Sequence, residues 1–417
     1  GSGNDNVVHA RVFNMVFNQL VGYDAVNKCL VPELATEWAF NETFDEVTFK
    51  LREDVHFHNG ELMTADDVVF TLGRESTAVW EQYLDHVEKT GDFEVKVYLN
   101  APNTEYVDLL AVTNASIVCK KAVEADPEHG FTIGTGAYMF DLDNCIAGDK
   151  TEMVINENYW GELPKTKRFT FQYTGNASSR LIAVQNGDAD FTNSISNNEI
   201  DFAKEDKNVQ VIEFNGTSTT YFCFNVSAGP GTCENLRLAV AHAINKQDIV
   251  DALGGTGSVT NTQFCWTAKG YTPNPAVVNE YDVELAKEYA AKAKAEGYDS
   301  FELMANTTSD TYKTIAEIIQ EQCRVVGITM TIREVDSAGL SANSKFASAN
   351  HDALVYGISY KDYSSDIART IGPYTNSNKA IMNDPDVNEN LAKAVASLDD
   401  QEIIECYEKC QAIVNEH

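Results

Sequence analysis

The alternation of apolar and polar positions divides this chain into two unlike stretches. In Glu46–Arg52, Val47, Phe49 and Leu51 alternate with Thr48, Lys50 and Arg52, the period-2 pattern of a half-buried strand. The alternation runs on through Asp54–Gly60 and ends at Asn59-Gly60, a pair suited to a tight turn. Thr64 with Asp67 three residues on is a carboxylate version of the capping box, and Val68, Val69 and Leu72 follow at helical spacing, so a helix starts at Thr64. Val95, Val97 and Leu99 mark another strand before Pro102. From Thr132 to Phe224 the pattern predicts strands and turns around one helix, Ala177–Gly187. In that helix Leu181, Ile182 and Val184 are expected to face a core and Gly187 to be the C-cap, with Asp188–Phe191 as the next strand.

Beyond the loop Ala228–Thr232 the period changes. Helices are expected at Glu234–Ile244 and at Asp282–Glu296, the latter closed by Gly297. Then come a strand at Phe301–Ala305, a helix at Thr311–Val326 closed by Gly327, a strand at Ile328–Val335, a helix at Ala338–Ala349 and a strand at Leu354–Ile358. This β-α-β-α-β order implies a parallel sheet with right-handed crossovers. The change of pattern puts a lobe boundary near residue 226.

Charge narrows the partners. The 417 residues carry 31 Lys+Arg against 63 Asp+Glu, a net charge of −32, yet 43% hydrophobic residues are ample for packed cores, so this is no disordered acidic chain. A surface this anionic repels phosphate backbones and anionic headgroups, which excludes nucleic acid and membrane surfaces as partners. At roughly 100–200 residues per domain the length allows two or three domains. No stretch approaches the ~20 apolar residues of a membrane span. No charged and apolar leader opens the chain, so an exported protein of this sequence would have lost its signal.

Several motifs invite chemistry and decline it. The nine cysteines form no CxxC pair, and scattered buried thiols fit them better than a disulfide framework or a zinc site. His56-x-His58 sets two imidazoles on one strand face, but no third ligand follows at useful spacing, and polar residues beside a turn are the better reading. Gly134-Thr-Gly136 and Gly254-Gly-Thr-Gly257 lack the Lys-Ser/Thr of a P-loop and the third glycine of a dinucleotide fingerprint. Asn245-Lys-Gln-Asp248 reads as an interhelical turn in which Asn245 or Asp248 caps. With 63 acids, close carboxylate pairs arise by chance and say nothing of glycoside hydrolysis. No Gly-x-Ser-x-Gly elbow is present. No cofactor is expected.

Read in order, a set of strings resembles the family 5 extracytoplasmic solute-binding proteins of bacterial ABC transporters, which include peptide and nickel receptors. The similarity begins at Leu20-Val-Gly-Tyr23 and Pro32-Glu-Leu-Ala35, with Trp38, and is strongest from Val47 to Gly60 and from Thr64 to Phe70. It continues through Ile133–Tyr138, Asn156–Gly161, Leu181–Asp190, Phe224-Asn225 and Asn235–Asn245. The resemblance implies an α/β, two-lobed periplasmic-binding-protein-like fold of type II character with a small inserted domain. Lobe I would comprise 1–39 and 133–225, the inserted domain 40–132 and lobe II 226–417, with ligand enclosed between lobes by hinge closure. It further implies an N-terminal strand before residue 1 and, after a helix like Gln401–Asn415, a Pro-rich return to lobe I. Lobe I as written would then lack strands. His56 and His58 fall in a structural turn of the family, and Gly134 and Gly136 in a tight turn near the lobe crossover.

The functional expectation is a monomeric extracytoplasmic receptor, periplasmic or lipid-anchored, that hands a solute to an ABC permease and does no chemistry. The segment Tyr356–Asp366 leaves the last parallel strand at its C-terminal end, where α/β sheets place ligands. It resembles the family's Asp-bearing loop, so Asp362, flanked by Tyr360 and Tyr363, is expected to pair with a ligand amine. A solvated acidic loop is the competing reading. Phe264 and Trp266 are candidate cleft aromatics, with core packing as the alternative, and Tyr23 and Ser196 are placed where lobe I strands reach the cleft. The loop lacks the family's usual Pro after Asp-Tyr, which weakens peptide specificity, and no His lies in 356–376, which disfavours nickel. The order of ligands is a short peptide or amine-bearing small molecule, then a saccharide, then a metal complex. A ligand-dependent sensor on the same fold and an enzyme are the other roles considered.

Overall fold

A computed structural model describes residues 12–24, 27, 29–74, 79–193, 195–214, 216–264, 266, 271, 275–359, 370–372 and 378–416. The chain divides between Gly175 and Asn176 into two compact units.

The first unit is built on antiparallel strands. A two-stranded pair, β1 (Val21–Asp24) and β2 (Cys29–Pro32), precedes β3 (Ala35–Phe40), β4 (Glu46–Leu51), β5 (Leu84–Gly91) and β6 (Glu94–Leu99), which form a sheet in the order β3-β4-β6-β5. The alternation expected at residues 46–52 is present: Val47, Phe49 and Leu51 are buried, together with Val95 and Val97 opposite them. Helix α1 (Ala65–Leu72) starts where the capping pair sits, the Asp67 carboxylate accepting the Thr64 backbone N–H at 2.9 Å. The same carboxylate also accepts the Lys120 N–H at 2.9 Å and so ties α1 to residue 120. A second small sheet, β7 (Tyr138–Phe140), β8 (Lys150–Ile155) and β9 (Arg168–Gln172), completes the unit.

His58 and the Gly134-x-Gly136 pair meet here. The Gly134 N–H donates to Nδ1 of His58 at 3.3 Å, while Nε2 lies 3.0 Å from the Gly136 carbonyl, an arrangement that fits the neutral imidazole with its proton on Nε2. Burial holds the His58 pKa down at about 4. The glycines are required because backbone fills the space: a Cβ on Gly134 would lie 2.1 Å from the Val16 carbonyl oxygen, and one on Gly136 2.5 Å from that of Met15. Both motifs are thus structural, and the imidazole is fully used.

The second unit begins with helix α2 (Ala177–Asn186), capped by Asn176 and ended by Gly187 at φ 78°. Its burial is narrower than expected: Leu181 is buried but Ile182 is 53% exposed. The strand expected at Asp188–Phe191 does not form, because the N–H groups of Asp188 and Ala189 both bond back to the Ala183 carbonyl and keep the chain on the helix end. The main sheet contains β10 (Ser218–Phe224), β11 (Ser300–Asn306), β12 (Thr329–Val335) and β13 (Ala353–Ser359), in the order β10-β13-β11-β12. As expected, β11 is parallel to β12 and to β13, whereas β10 joins antiparallel to β13. The sheet of the second unit therefore starts at Ser218, before the change of pattern at residue 226.

Helices α3 (Glu234–Ala243), α4 (Lys246–Ala252), α5 (Val283–Ala295) and α6 (Asp310–Val325) come next in the chain. Leu236, Val240, Ala286, Ala290, Ile315, Ile319 and Cys323 of these helices share a core with Phe301, Leu303, Ala305, Ala353 and Val355 of the sheet. Asn245 caps α4 by accepting the N–H groups of Gln247 and Asp248, and the glycines 254, 255 and 257, all at positive φ, follow that helix rather than precede one as a phosphate loop would. Helix α7 (Ser337–Asn343) is shorter than the segment 338–349 expected; the Asn343 amide bonds to the Gly339 carbonyl, and its own carbonyl accepts from Asn350. Leu340 of α7 packs with Met304, Leu354 and Tyr356, side chains from the sheet face opposite α6. Helices α8 (Pro385–Ala396) and α9 (Asp400–Glu416) pack on each other around Phe264 and Tyr407.

Candidate functional site

Strand order determines where this sheet opens. From β11 the chain passes through α6 to β12 on one side, then through α7 to β13 on the other, and the two helices cover opposite faces. The carboxyl ends of β11 and β13 thus flank a topological switch point, the place at which α/β sheets leave a crevice. At the end of β11, buried Asn306 donates to Ser337 Oγ at 2.9 Å, and its carbonyl oxygen accepts the Thr308 hydroxyl at 2.6 Å. These bonds fix the βα turn.

Two-residue periodicity distributes the side chains of β10. Phe222 and Phe224 face the helices and meet Phe301 edge to face, with centroids 6.1 and 4.9 Å away. Tyr221 points to the other face, directly opposite Tyr356 of β13, their rings 5.6 Å apart. The Tyr221 hydroxyl donates to the Gln263 carbonyl at 2.6 Å and fastens the 260s segment to the strand. On the helix face of β13, Gly357 leaves room for the phenol of Tyr312, whose hydroxyl would lie 2.4 Å from any Cβ there. Burial raises the Tyr312 pKa, opposed by a hydrogen bond with the Gly357 backbone.

The expected site residues fall as follows. Phe264 is 1% exposed and packs edge to face on Tyr407, at a centroid distance of 6.1 Å, inside the α8–α9 core. Trp266, two residues on, is 44% exposed and donates its indole N–H to the Gly216 carbonyl at 2.9 Å. Ser196 precedes the short helical turn Asn197–Glu199, where Asn197 donates to the Leu253 carbonyl at the end of α4. Tyr23 belongs to the first unit, half-buried on β1 opposite Leu30. Tyr360, Asp362 and Tyr363 lie outside the described residues. The structure thus holds Trp266 at Gly216, just before β10, and Gln263 against Tyr221 in the middle of that strand. Sequence reading did not single out Tyr221, Tyr312 or Asn306; the clue available was the alternation Thr219, Tyr221, Cys223 on a strand leading toward a glycine-rich loop. An exposed indole, the partly buried ring of Tyr221 and loop carbonyls offer stacking faces and hydrogen-bond partners to a solute of mixed polarity.

Comparison with known proteins bears on the same region. Residues 30–395 match the family described as bacterial extracellular solute-binding proteins, family 5. The chain is 26% identical over 353 residues to a dipeptide-binding protein of Escherichia coli, an alignment covering 76% of this chain and 65% of the relative. It is 24% identical to heme-binding protein A of Haemophilus influenzae, covering 96% of this chain and 80% of the relative. It spans just under two thirds of the first of these relatives and four fifths of the second. Among solved structures, a dipeptide-binding protein from Pseudoalteromonas in complex with Met-Leu superposes with a TM-score of 0.84 at 21% identity, over 98% of this chain and 87% of that one. That likeness establishes the fold, that of the periplasmic binding proteins.

Proposed function

The chain belongs to the bacterial extracellular solute-binding proteins of family 5, which are transport receptors rather than enzymes, and from that premise we propose that it captures a short peptide for an ABC importer. The observation that carries the choice of ligand is aromatic: half-exposed Trp266 is held at Gly216, just before β10, the Tyr221 hydroxyl ties the 260s segment to that strand, and β13, which pairs with it, leads into the 360s segment. In this reading Asp362 pairs with the ligand's α-amino group, Tyr360, Tyr363 and Trp266 line the apolar parts, and Tyr23 and Ser196 add polar contacts. Phe264 supports that surface from the core behind it. The receptor works as a monomer outside the cytoplasmic membrane, in the periplasm or held by a lipid anchor; among the described residues no helix is long and apolar enough to cross a membrane. Dipeptide-binding relatives support the peptide assignment, and a heme-binding relative keeps a metal complex as the second ligand to test.

A thermal-shift screen of di- to pentapeptides, sugars, heme and nickel chelates tests the assignment, since stabilisation grows as RT ln(1 + [L]/Kd). A peptide should raise Tm, and Asp362→Asn should weaken that peptide at least tenfold, about 1.4 kcal/mol. A shift by a sugar or heme with none by any peptide overturns the ligand class. Unchanged peptide affinity in Asp362→Asn overturns the residue.

A further inference from the structure

We propose that the hollow beside Arg74, in the first unit, is a second binding site, for a small organic carboxylate with a flat apolar body. The hollow holds about 210 Å³. Phe13, Phe17, Val118 and Phe131 supply apolar walls, and Arg74 and Asn114 the polar ones.

Arg74 follows directly on the Gly73 cap of α1, and its Nε donates to the Thr71 carbonyl at 3.2 Å. Its guanidinium lies 5.2 Å from the centroid of Phe131 and 6.0 Å from that of Phe70, so aromatic faces and a backbone acceptor fix the plane of the group. Its two terminal amino groups find no partner among the described residues. Acids outnumber bases 63 to 31 in this chain, and Arg52, Arg168, Arg324 and Arg333 each hold a carboxylate. Burial pulls the proton affinity of Arg74 below its ordinary value, as expected of a cation without a counter-charge. A guanidinium with its fork open binds a carboxylate bidentately. One cation suits a monoanion, and the phenylalanine rings favour a flat apolar body over a bare inorganic ion.

Benzoate is the probe, read by the chemical shifts of the Val118 methyls and by calorimetry, with acetate and benzylamine as controls. Benzoate should bind saturably, benzylamine not at all, and acetate more weakly than benzoate. Arg74→Gln should weaken benzoate at least about tenfold and Phe131→Ala several-fold, with Tm of each variant measured to verify folding. Should Arg74→Gln fail to fold, Arg74→Lys carries the test: it keeps the charge, loses the fork and should bind more weakly than the native chain. The proposal is overturned if benzoate leaves the Val118 methyls unmoved up to its solubility limit, if acetate binds as tightly, or if the Arg74 variant retains native affinity. The response of Arg74→Gln to peptides should match that of the native chain, so this outcome is independent of the transport ligand.

Discussion

Glycines meet foreign atoms in both units, with opposite results. At Gly134 and Gly136 the space of a side chain is taken by the backbone of Met15 and Val16, with the Phe17 ring behind it at Gly134, and His58 seals the junction by spending both ring nitrogens on it. Asn156 adds a further bond to the Gly136 carbonyl at 3.1 Å. At Gly357 the occupant is the tip of one tyrosine, and the neighbouring polar groups end on loop carbonyls near the surface. The difference teaches what separates a frame from a recognition surface built of similar residues. Backbone against backbone cannot yield, whereas a phenol against backbone can turn.

That contrast can be broken by experiment, and the largest effect belongs to the frame. Gly134→Ala should cost about 3 kcal/mol or more, or prevent folding, because neither the Val16 carbonyl nor the Phe17 ring behind it can retreat. Urea unfolding measures it, and unchanged stability would erase the distinction. His58 comes next. Its folded pKa of about 4 lies below the ordinary 6.5, so between those values the unfolded chain binds more protons than the folded one. The stability from neutral His58 is therefore complete above about 6.5 and lost as pH falls toward 4, amounting to roughly 3 kcal/mol. Urea midpoints across this range should fall less steeply for His58→Gln than for the native chain. Gly357→Ala should cost less, about 1–2 kcal/mol, since the Tyr312 phenol can swing aside, and Tyr312→Phe in the same chain should recover most of it. A double-mutant cycle without coupling would show that the phenol is not what the new methyl meets. The smallest effect is expected from Asn245→Ala, about 1 kcal/mol in thermal unfolding for the lost cap of α4.

Legibility followed locality. The strands β11, β12 and β13 and helix α6 fall within about two residues of where periodicity puts them, because apolar spacing and caps such as Asp282 and Gly297 act over single turns, whereas α7 stops six residues short of its expected end. Strand order did not follow from periodicity, since nothing local in Ser218–Phe224 says that it pairs antiparallel with a strand more than a hundred residues away. The expected strand at 188–191 shows the same limit from the other side: its apolar Phe191 invites pairing, but bonds to Ala183 hold the backbone elsewhere. At the candidate site, Phe264 and Trp266 look interchangeable as sequence. Only the contact with Tyr407, from helix α9, buries one while the other stays exposed. The Asp362 loop was reached through its place after the last parallel strand and through resemblance, the Tyr221–Tyr356 pair through tertiary pairing alone.

The bonds of Asn415 set an order of assembly. Its amide donates to the carbonyls of Asn261 and Val277, its side-chain oxygen accepts from Gln263 and its backbone carbonyl from Asn279, across separations of 136 to 154 residues. Loops that long close late. During synthesis, the segment that carries Trp266 gains these anchors only after α9 has emerged and docked. The β11–β12 pair, whose partners are about 29 residues apart, needs no such wait. The scaffold can therefore stand before these anchors form, so a ribosome stall before α9 would yield a folded sheet whose 260s segment is held by Tyr221 and lacks the clamp of Asn415.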